Sequence, residues 1–320
     1  MMARLAATLA SPLALVLAAL TYFVPMAAGN TPALYAACTT VAILAVMAYG
    51  ADLILSDLGE LSLGHTLFWA AGGYAAAMLS AAPGWNGWMT AGAAIAVALV
   101  LAAVLGVVTR GTRPLVFSLA TYAAGVVAME VAVKGTLLGG PDGIGGVPPL
   151  QLPLFGHGIT ASTNADLWPV AWGLLMLTLL FVERFRRSRL GTSALMVQMN
   201  PELARSLGVD ARPVRFLVLV VSAPISALAG WLYAYQHARV GPDMLDGYFL
   251  VLMLAAIVIV GRRFLLGPLI GTALIVGQQT FFPIGGDVDK IALAGVLGAV
   301  LLLWPKGLMG AWELLRGRAS

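Results

Sequence analysis

Charge is scarce in this chain. Of its 320 residues only 10% are Asp, Glu, Lys or Arg, against about 25% in an ordinary soluble domain, and that shortfall excludes a cytosolic globular protein. Cysteine is scarcer still: Cys38 stands alone, so no internal disulfide scaffold is possible. Histidine is confined to His65, His157 and His237, widely spaced, and the chain contains no HExxH, G-x-S-x-G or Walker A sequence. Neither a metal-dependent or nucleophilic enzyme nor an ATPase is therefore expected of these residues. Apolar residues fill the chain, at 60% of the total and a mean hydropathy of +0.93. That content excludes disorder, and at about 20 apolar residues per helical span it is enough for roughly ten spans. Runs such as Ala91 to Val108 and Val251 to Val260 lack the two-residue alternation of a membrane barrel strand. The expected fold is an all-α, polytopic transmembrane bundle occupying residues 1–320 as a single domain.

Ten segments carry the spans, at about 12–28, 33–54, 65–82, 88–109, 114–134, 165–185, 214–236, 248–264, 265–283 and 289–308. A turn is placed between the eighth and ninth because Arg262 and Arg263 are costly at mid-bilayer but tolerable at an interface. With the N-terminus inside, the inner side receives Arg4, Arg110, Arg113, Arg184, Arg186, Arg187, Arg189, Arg205, Arg212, Arg215, Arg262, Arg263, Lys306, Arg316 and Arg318, leaving Lys134, Arg239 and Lys290 outside. Basic residues gather in cytoplasmic loops, so this split supports ten spans with both termini cytoplasmic. The formal charge of +4 then marks topology, and no nucleic-acid partner is expected. A cleavable signal is a second reading of the N-terminus, since Arg4 precedes an apolar run that ends near Ala27 and Ala28.

Two loops are long. The outer one, about 135–165, is rich in Gly and Pro, including Gly139-Gly140-Pro141-Asp142-Gly143 and Pro148-Pro149, and is expected to form a turn-rich cap rather than a helix. The inner one, about 186–213, carries a helix start at Asn200-Pro201-Glu202, where Asn caps free amides, Pro suits the first position and Glu favours the positive dipole end. Gly208 supplies the stop. This short helix is either a solvated linker or a docking helix for a cytoplasmic partner. A third interruption, Leu58-Gly59-Glu60-Leu61-Ser62-Leu63-Gly64-His65, breaks the apolar pattern between the second and third spans. Such breaks sit beside the pathway in transporters, although a plain turn with a helix cap gives the same pattern. Asp52, Glu130 and His65 are the ionisable residues within spans that stand out as functional candidates, and Lys134 stands four residues after Glu130, the spacing of a surface pair.

Four motifs resemble those of the permease subunits of branched-chain amino-acid ABC importers, LivM-type. Ser62-Leu63-Gly64-His65 with Phe68 and Gly73-Tyr74 is similar to the family's S-L-G-H-x-x-F-x-x-x-G-x-Y stretch, and Gly139 to Ile144 is similar to its outer-loop signature. Ser188-Arg189-Leu190-Gly191 through Asn200, Ala204, Leu207 and Gly208 resembles its coupling segment. Gly267-Pro268 with Gly271, and Pro305-Lys306-Gly307-Leu308, resemble its C-terminal pattern. The resemblance implies a type II-like ABC importer transmembrane domain in the bacterial cytoplasmic membrane, in contact with lipid. It implies a second homologous permease, two ATPase subunits that hold ATP and Mg, and a periplasmic or lipid-anchored solute-binding protein, with no cofactor on this chain. It assigns coupling to Asn200, Pro201, Glu202, Ala204, Arg205, Leu207 and Gly208. The pathway falls to Ser62, Gly64 and His65, and contact with the binding protein to Asp142 and Gly143. The chain departs from the family at Gln198-Met199-Asn200-Pro201, at Gly261 to Leu265 and at Glu60. The implied solute is a branched-chain or other amino acid. Urea, short amides and aromatic acids are the alternatives within the family, and ion-coupled secondary transport is the alternative outside it.

Overall fold

A computed structural model describes residues 15–154, 157–281 and 295. The expected tenth span at 289–308, the Pro305 to Leu308 motif, and Arg4, Lys290, Lys306, Arg316 and Arg318 lie outside the described residues. Eleven helices are described: α1 (Leu15–Ala27), α2 (Pro32–Leu58), α3 (His65–Ser80), α4 (Gly87–Val108), α5 (Pro114–Lys134), α6 (Asn164–Arg187), α7 (Arg189–Met199), α8 (Pro201–Ser206), α9 (Ala211–His237), α10 (Gly247–Val260) and α11 (Gly267–Phe281). Five of them, α2, α4, α5, α6 and α9, are long and apolar enough to cross a bilayer.

Local sequence accounts for the helix starts. Pro32 and Pro114 occupy first-turn positions where no amide partner is needed. The Leu34 and Met89 amides donate to Thr31 Oγ1 and Asn86 Oδ1 at 3.4 and 3.0 Å. At α6, Thr163 and Asp166 form a capping box.

Small residues then set how close the helices come. On α3 and α9, a Cβ at Gly72 would overlap the Ala227 backbone, and one at Gly230 would overlap the Trp69 carbonyl. The two backbones therefore touch directly, the close approach that small residues permit between membrane helices. Gly50 of α2 packs against Ser226 of α9, whose hydroxyl donates to the Met47 carbonyl at 3.2 Å. Between α10 and α11, Gly271 lies on the Ala256 backbone. The result is a core built on α2 and α9, with 83% and 61% of their apolar stretches buried, against 22% for α4 and 28% for α5. The outer faces of α4 and α5 expose Val100, Val104, Val107, Leu115, Leu119 and Val127, a surface suited to lipid rather than water.

The first nine expected segments coincide with helices α1 to α6, α9, α10 and α11, of which five reach membrane-crossing length, and the turn expected at Gly261 to Leu266 separates the last two. Three details differ. The second span continues past residue 54 through a π-helical turn, Leu53–Leu58, because its two aspartates are neutralised by arginines from other elements. The outer loop contains strands as well as turns: β1 (Ile144–Gly145) pairs antiparallel with β4 (Arg239–Val240), and β2 (Leu150–Leu154) with β3 (His157–Ala161). The inner loop holds α7 in addition to the expected short helix. Ser188 caps α7 by accepting the Gly191 amide at 3.1 Å, and Gly191, Ala194 and Val197 form its buried face.

Candidate functional site

The chain has 14 acidic residues, and among the described residues Asp52, Asp57 and Glu60 are the buried ones. Asp52 and Asp57 lie in the last turns of α2, and Glu60 lies in the break that joins α2 to α3. A buried carboxylate is tolerated only when it is paired, and arginines from other elements supply the pairing. Arg186, at the end of α6, places Nη2 2.7 Å from Asp52 Oδ2 and Nε 3.1 Å from Asp57 Oδ2. Its Nη1 donates to the Arg263 carbonyl at 3.0 Å, and Arg263 Nη1 lies 3.6 Å from Asp57 Oδ1. Ser56 donates its hydroxyl to Asp52 Oδ1. Arg215, in the first turns of α9, donates to Glu60 Oε1 and, at 2.7 Å, to the Thr112 carbonyl between α4 and α5. Its guanidinium also lies over the Phe117 ring at 5.6 Å. Burial pushes the Glu60 carboxyl above its ordinary range, and the Arg215 hydrogen bond and charge oppose that push.

The rest of the break is equally fixed. Gly59 closes the π-turn with φ +76°, and the space a side chain would need there is filled by Gln198 of α7. Ser118 donates to the Leu61 carbonyl at 2.6 Å, and the Leu63 amide donates to Thr121 Oγ1 at 3.1 Å. Gly64 lies against Thr121, where a Cβ would come within 3.1 Å. His65 is fully buried, with Nδ1 3.0 Å from Ser62 Oγ and Nε2 3.2 Å from Ser222 Oγ. Because Ser222 donates to the Leu219 carbonyl, the arrangement that satisfies every group is a neutral ring protonated at Nε2, with Ser62 donating to Nδ1. Ser62, Gly64 and His65 are thus together and packed inside the protein, between α3, α5 and α9.

At the same end, α7 and α8 form a short helical hairpin. Asn200 Oδ1 accepts the Glu202 and Leu203 amides, both at 3.0 Å. Pro201 opens α8, and Gly208 ends the hairpin with φ +85°. Ala204 is the buried residue of α8, whereas Asn200, Pro201, Glu202, Arg205, Leu207 and Gly208 are exposed. Met199 is 78% exposed, Leu203 58% and Leu207 66%, which leaves three apolar side chains open to solvent in and on either side of α8, interspersed with Glu202 and Arg205.

The opposite end carries the outer loop. Asp142 is exposed, and Gly143, with φ +70°, lies so close to the Val240 carbonyl that a Cβ would collide with it. Glu130 and Lys134 pair at 2.8 Å in the open, as their spacing predicts. Among the described residues there is no group of three or more His, Cys, Asp or Glu suited to a metal.

The sequence reading singled out Asp52, His65 and the Asn200 to Gly208 segment, but left Arg186 and Arg215 as loop arginines and passed over Asp57. The structure buries Arg215 and turns Arg186 inward, with 10% of its side chain exposed. A signal was present, since three acids within nine residues stand out in a chain with so few.

Residues 33–304 match the model of the family described as branched-chain amino acid transport system / permease component. The chain is 23% identical over 293 residues to the high-affinity branched-chain amino acid transport system permease protein LivM of Salmonella typhimurium strain LT2, covering 85% of this chain and 68% of that protein. The LivM protein of Escherichia coli strain K12 is 22% identical over the same shares. The fructose import permease protein FruF of Bifidobacterium longum strain NCC 2705 is 26% identical over 254 residues, 76% of this chain and 68% of that protein. No solved structure matches the chain. With 33–304 matched, the chain belongs to the branched-chain amino-acid permease family of ABC transport systems and is a multi-pass membrane permease subunit.

Proposed function

We propose that this chain forms half of the solute pathway of an ATP-driven importer in a bacterial cytoplasmic membrane, as a ten-span, type II-like transmembrane domain with both termini cytoplasmic. A second homologous permease completes the pathway. Two ATPase subunits, which hold ATP and Mg, dock on α8, and a periplasmic or lipid-anchored binding protein delivers the solute to the outer loop around Asp142 and Gly143. The observation that carries this reading is the exposure of three apolar side chains, Leu203 on the capped helix α8 with Met199 just before it and Leu207 just after, at the arginine-rich end of a family permease. Apolar exposure of that kind outside the bilayer is the mark of a protein interface. Docking there would let nucleotide-driven closure of the ATPases bias the bundle between two conformations. Ser62, Gly64 and His65 are assigned to the element that changes between those conformations and lines the pathway in one of them.

The solute proposed is a branched-chain amino acid, as the names of the LivM relatives support. A sugar is the second reading, because a fructose import permease is also among the relatives. The test is uptake into liposomes holding the permease pair, its ATPases and its binding protein. ATP-dependent accumulation of leucine and not of fructose is expected. Accumulation of fructose alone would replace the substrate assignment, and uptake by the permease without ATPases, driven by a proton or sodium gradient, would overturn the mechanism.

A further inference from the structure

Arg186 and Arg215 bracket the α7–α8 hairpin, one on each side of it along the chain. Arg186 is two residues before Ser188, the cap of α7, and Arg215 stands in the first turns of α9, just after the hairpin ends. Nothing in local sequence requires both to turn inward, since five other arginines, Arg184, Arg187, Arg189, Arg205 and Arg212, lie in the same stretch. Yet both reach the same short stretch, Arg186 to Asp52 and Asp57, Arg215 to Glu60. Gln198, inside the hairpin, makes a third contact by filling the space over Gly59. The helices that lead into and out of the hairpin, α6 and α9, therefore hold the stretch 52–60 through Arg186 and Arg215, and Gln198 adds the hairpin's own contact with it.

We infer that Asp52, Asp57, Glu60, Arg186 and Arg215 are positioning residues for transport, forming a two-armed tie that makes the α7–α8 hairpin and the break at 52–65 move as one body. Two ties resist both translation and rotation, whereas one would leave the hairpin free to pivot. Each tie is a charged hydrogen bond with little access to water, so it is directional and hard to exchange for solvent. The break continues without interruption into Ser62, Gly64 and His65. A displacement of α8 is thereby delivered to the segment assigned above to the pathway. Each tie also reaches a further turn, through the Arg263 carbonyl between α10 and α11 and the Thr112 carbonyl between α4 and α5. The motion is thus shared among the spans rather than absorbed in a loop.

The inference rests on α8 being the docking helix, and its test separates the two. Hydrogen exchange is followed in the complex of the permease pair with its ATPases, with and without ATP and vanadate. In the wild type, exchange is expected to change in 188–208 and in 59–64 together. In Glu60→Gln/Arg215→Gln, which removes one arm without stranding a buried charge, the change in 188–208 is expected to persist while that in 59–64 falls at least threefold. Glu60→Arg/Arg215→Glu, which rebuilds the pair in reverse, should restore it. A response in 188–208 with none in 59–64 in the wild type, or an unaltered response in 59–64 in the neutral variant, overturns the tie and leaves the docking reading standing. No response in 188–208 in the wild type overturns the docking reading and the tie with it.

Discussion

At the arginine-rich end of the bundle, elements far apart in sequence are joined side chain to side chain, with three buried acids held by Arg186, Arg215 and Arg263. At the opposite end they are joined by backbone and by neutral side chains, with β1 on β4, positive-φ glycines from Gly139 to Gly146, and Gln236 of α9 donating to Thr40 Oγ1 of α2 at 2.9 Å. The ion pair found there, Glu130 with Lys134, is solvent-exposed and bridges one helix to itself. The difference lies in what each join transmits. A backbone ladder two residues long fixes a loop in place, while a buried charge pair links rigid helices and fails only as a unit. The arginine-rich end is therefore built to couple elements, and the other end to shape a cap.

Substitutions at the two ends should separate these roles. Arg186→Ala strands Asp52 and Asp57 without their cation, and loss of one partner from a buried pair costs about 3–5 kcal/mol. Thermal unfolding of the purified protein in detergent, followed by tryptophan fluorescence, should show the largest fall in this set, and an unchanged midpoint would remove the distinction between the ends. Gly143→Ala forces a left-handed backbone on a residue with a Cβ and drives that atom at the Val240 carbonyl, a strain of about 1–3 kcal/mol. Its effect should be local, with faster hydrogen exchange in 143–147 and none in 52–65. Asn200→Ala removes the acceptor for two amides of α8 and should weaken that helix by about 1 kcal/mol, seen as faster exchange at 202–205 with the unfolding midpoint kept. Lys134→Ala should leave the midpoint where it is, because exposed pairs contribute little.

The two ends also differ in how far sequence reasoning reached. The apolar helices were legible because long apolar runs carry their own signal, and the cap at Asn200 was legible because capping is local. The β1–β4 pair was not, since its partners lie almost a hundred residues apart and each strand is two residues long, too short for any alternation to register. Arg186 and Arg215 were read as members of a basic loop because position in the chain gives side, not direction. Only the fold shows that these two turn inward while their neighbours do not. Asp57 was missed for the same reason, as its partners come from α6 and from the α10–α11 turn.

The central claim is that the arginine-rich end, through α8, is where this permease meets its ATPases. The most direct measurement places a photo-crosslinking group on Leu203→Cys, in a Cys38→Ser background, within the purified complex containing both ATPases and the binding protein. Asp142→Cys serves as the matched position at the other end. The account expects Leu203→Cys to join to an ATPase subunit and Asp142→Cys to the binding protein. An ATPase adduct at position 142, or none at position 203 in a complex that hydrolyses ATP, would contradict it.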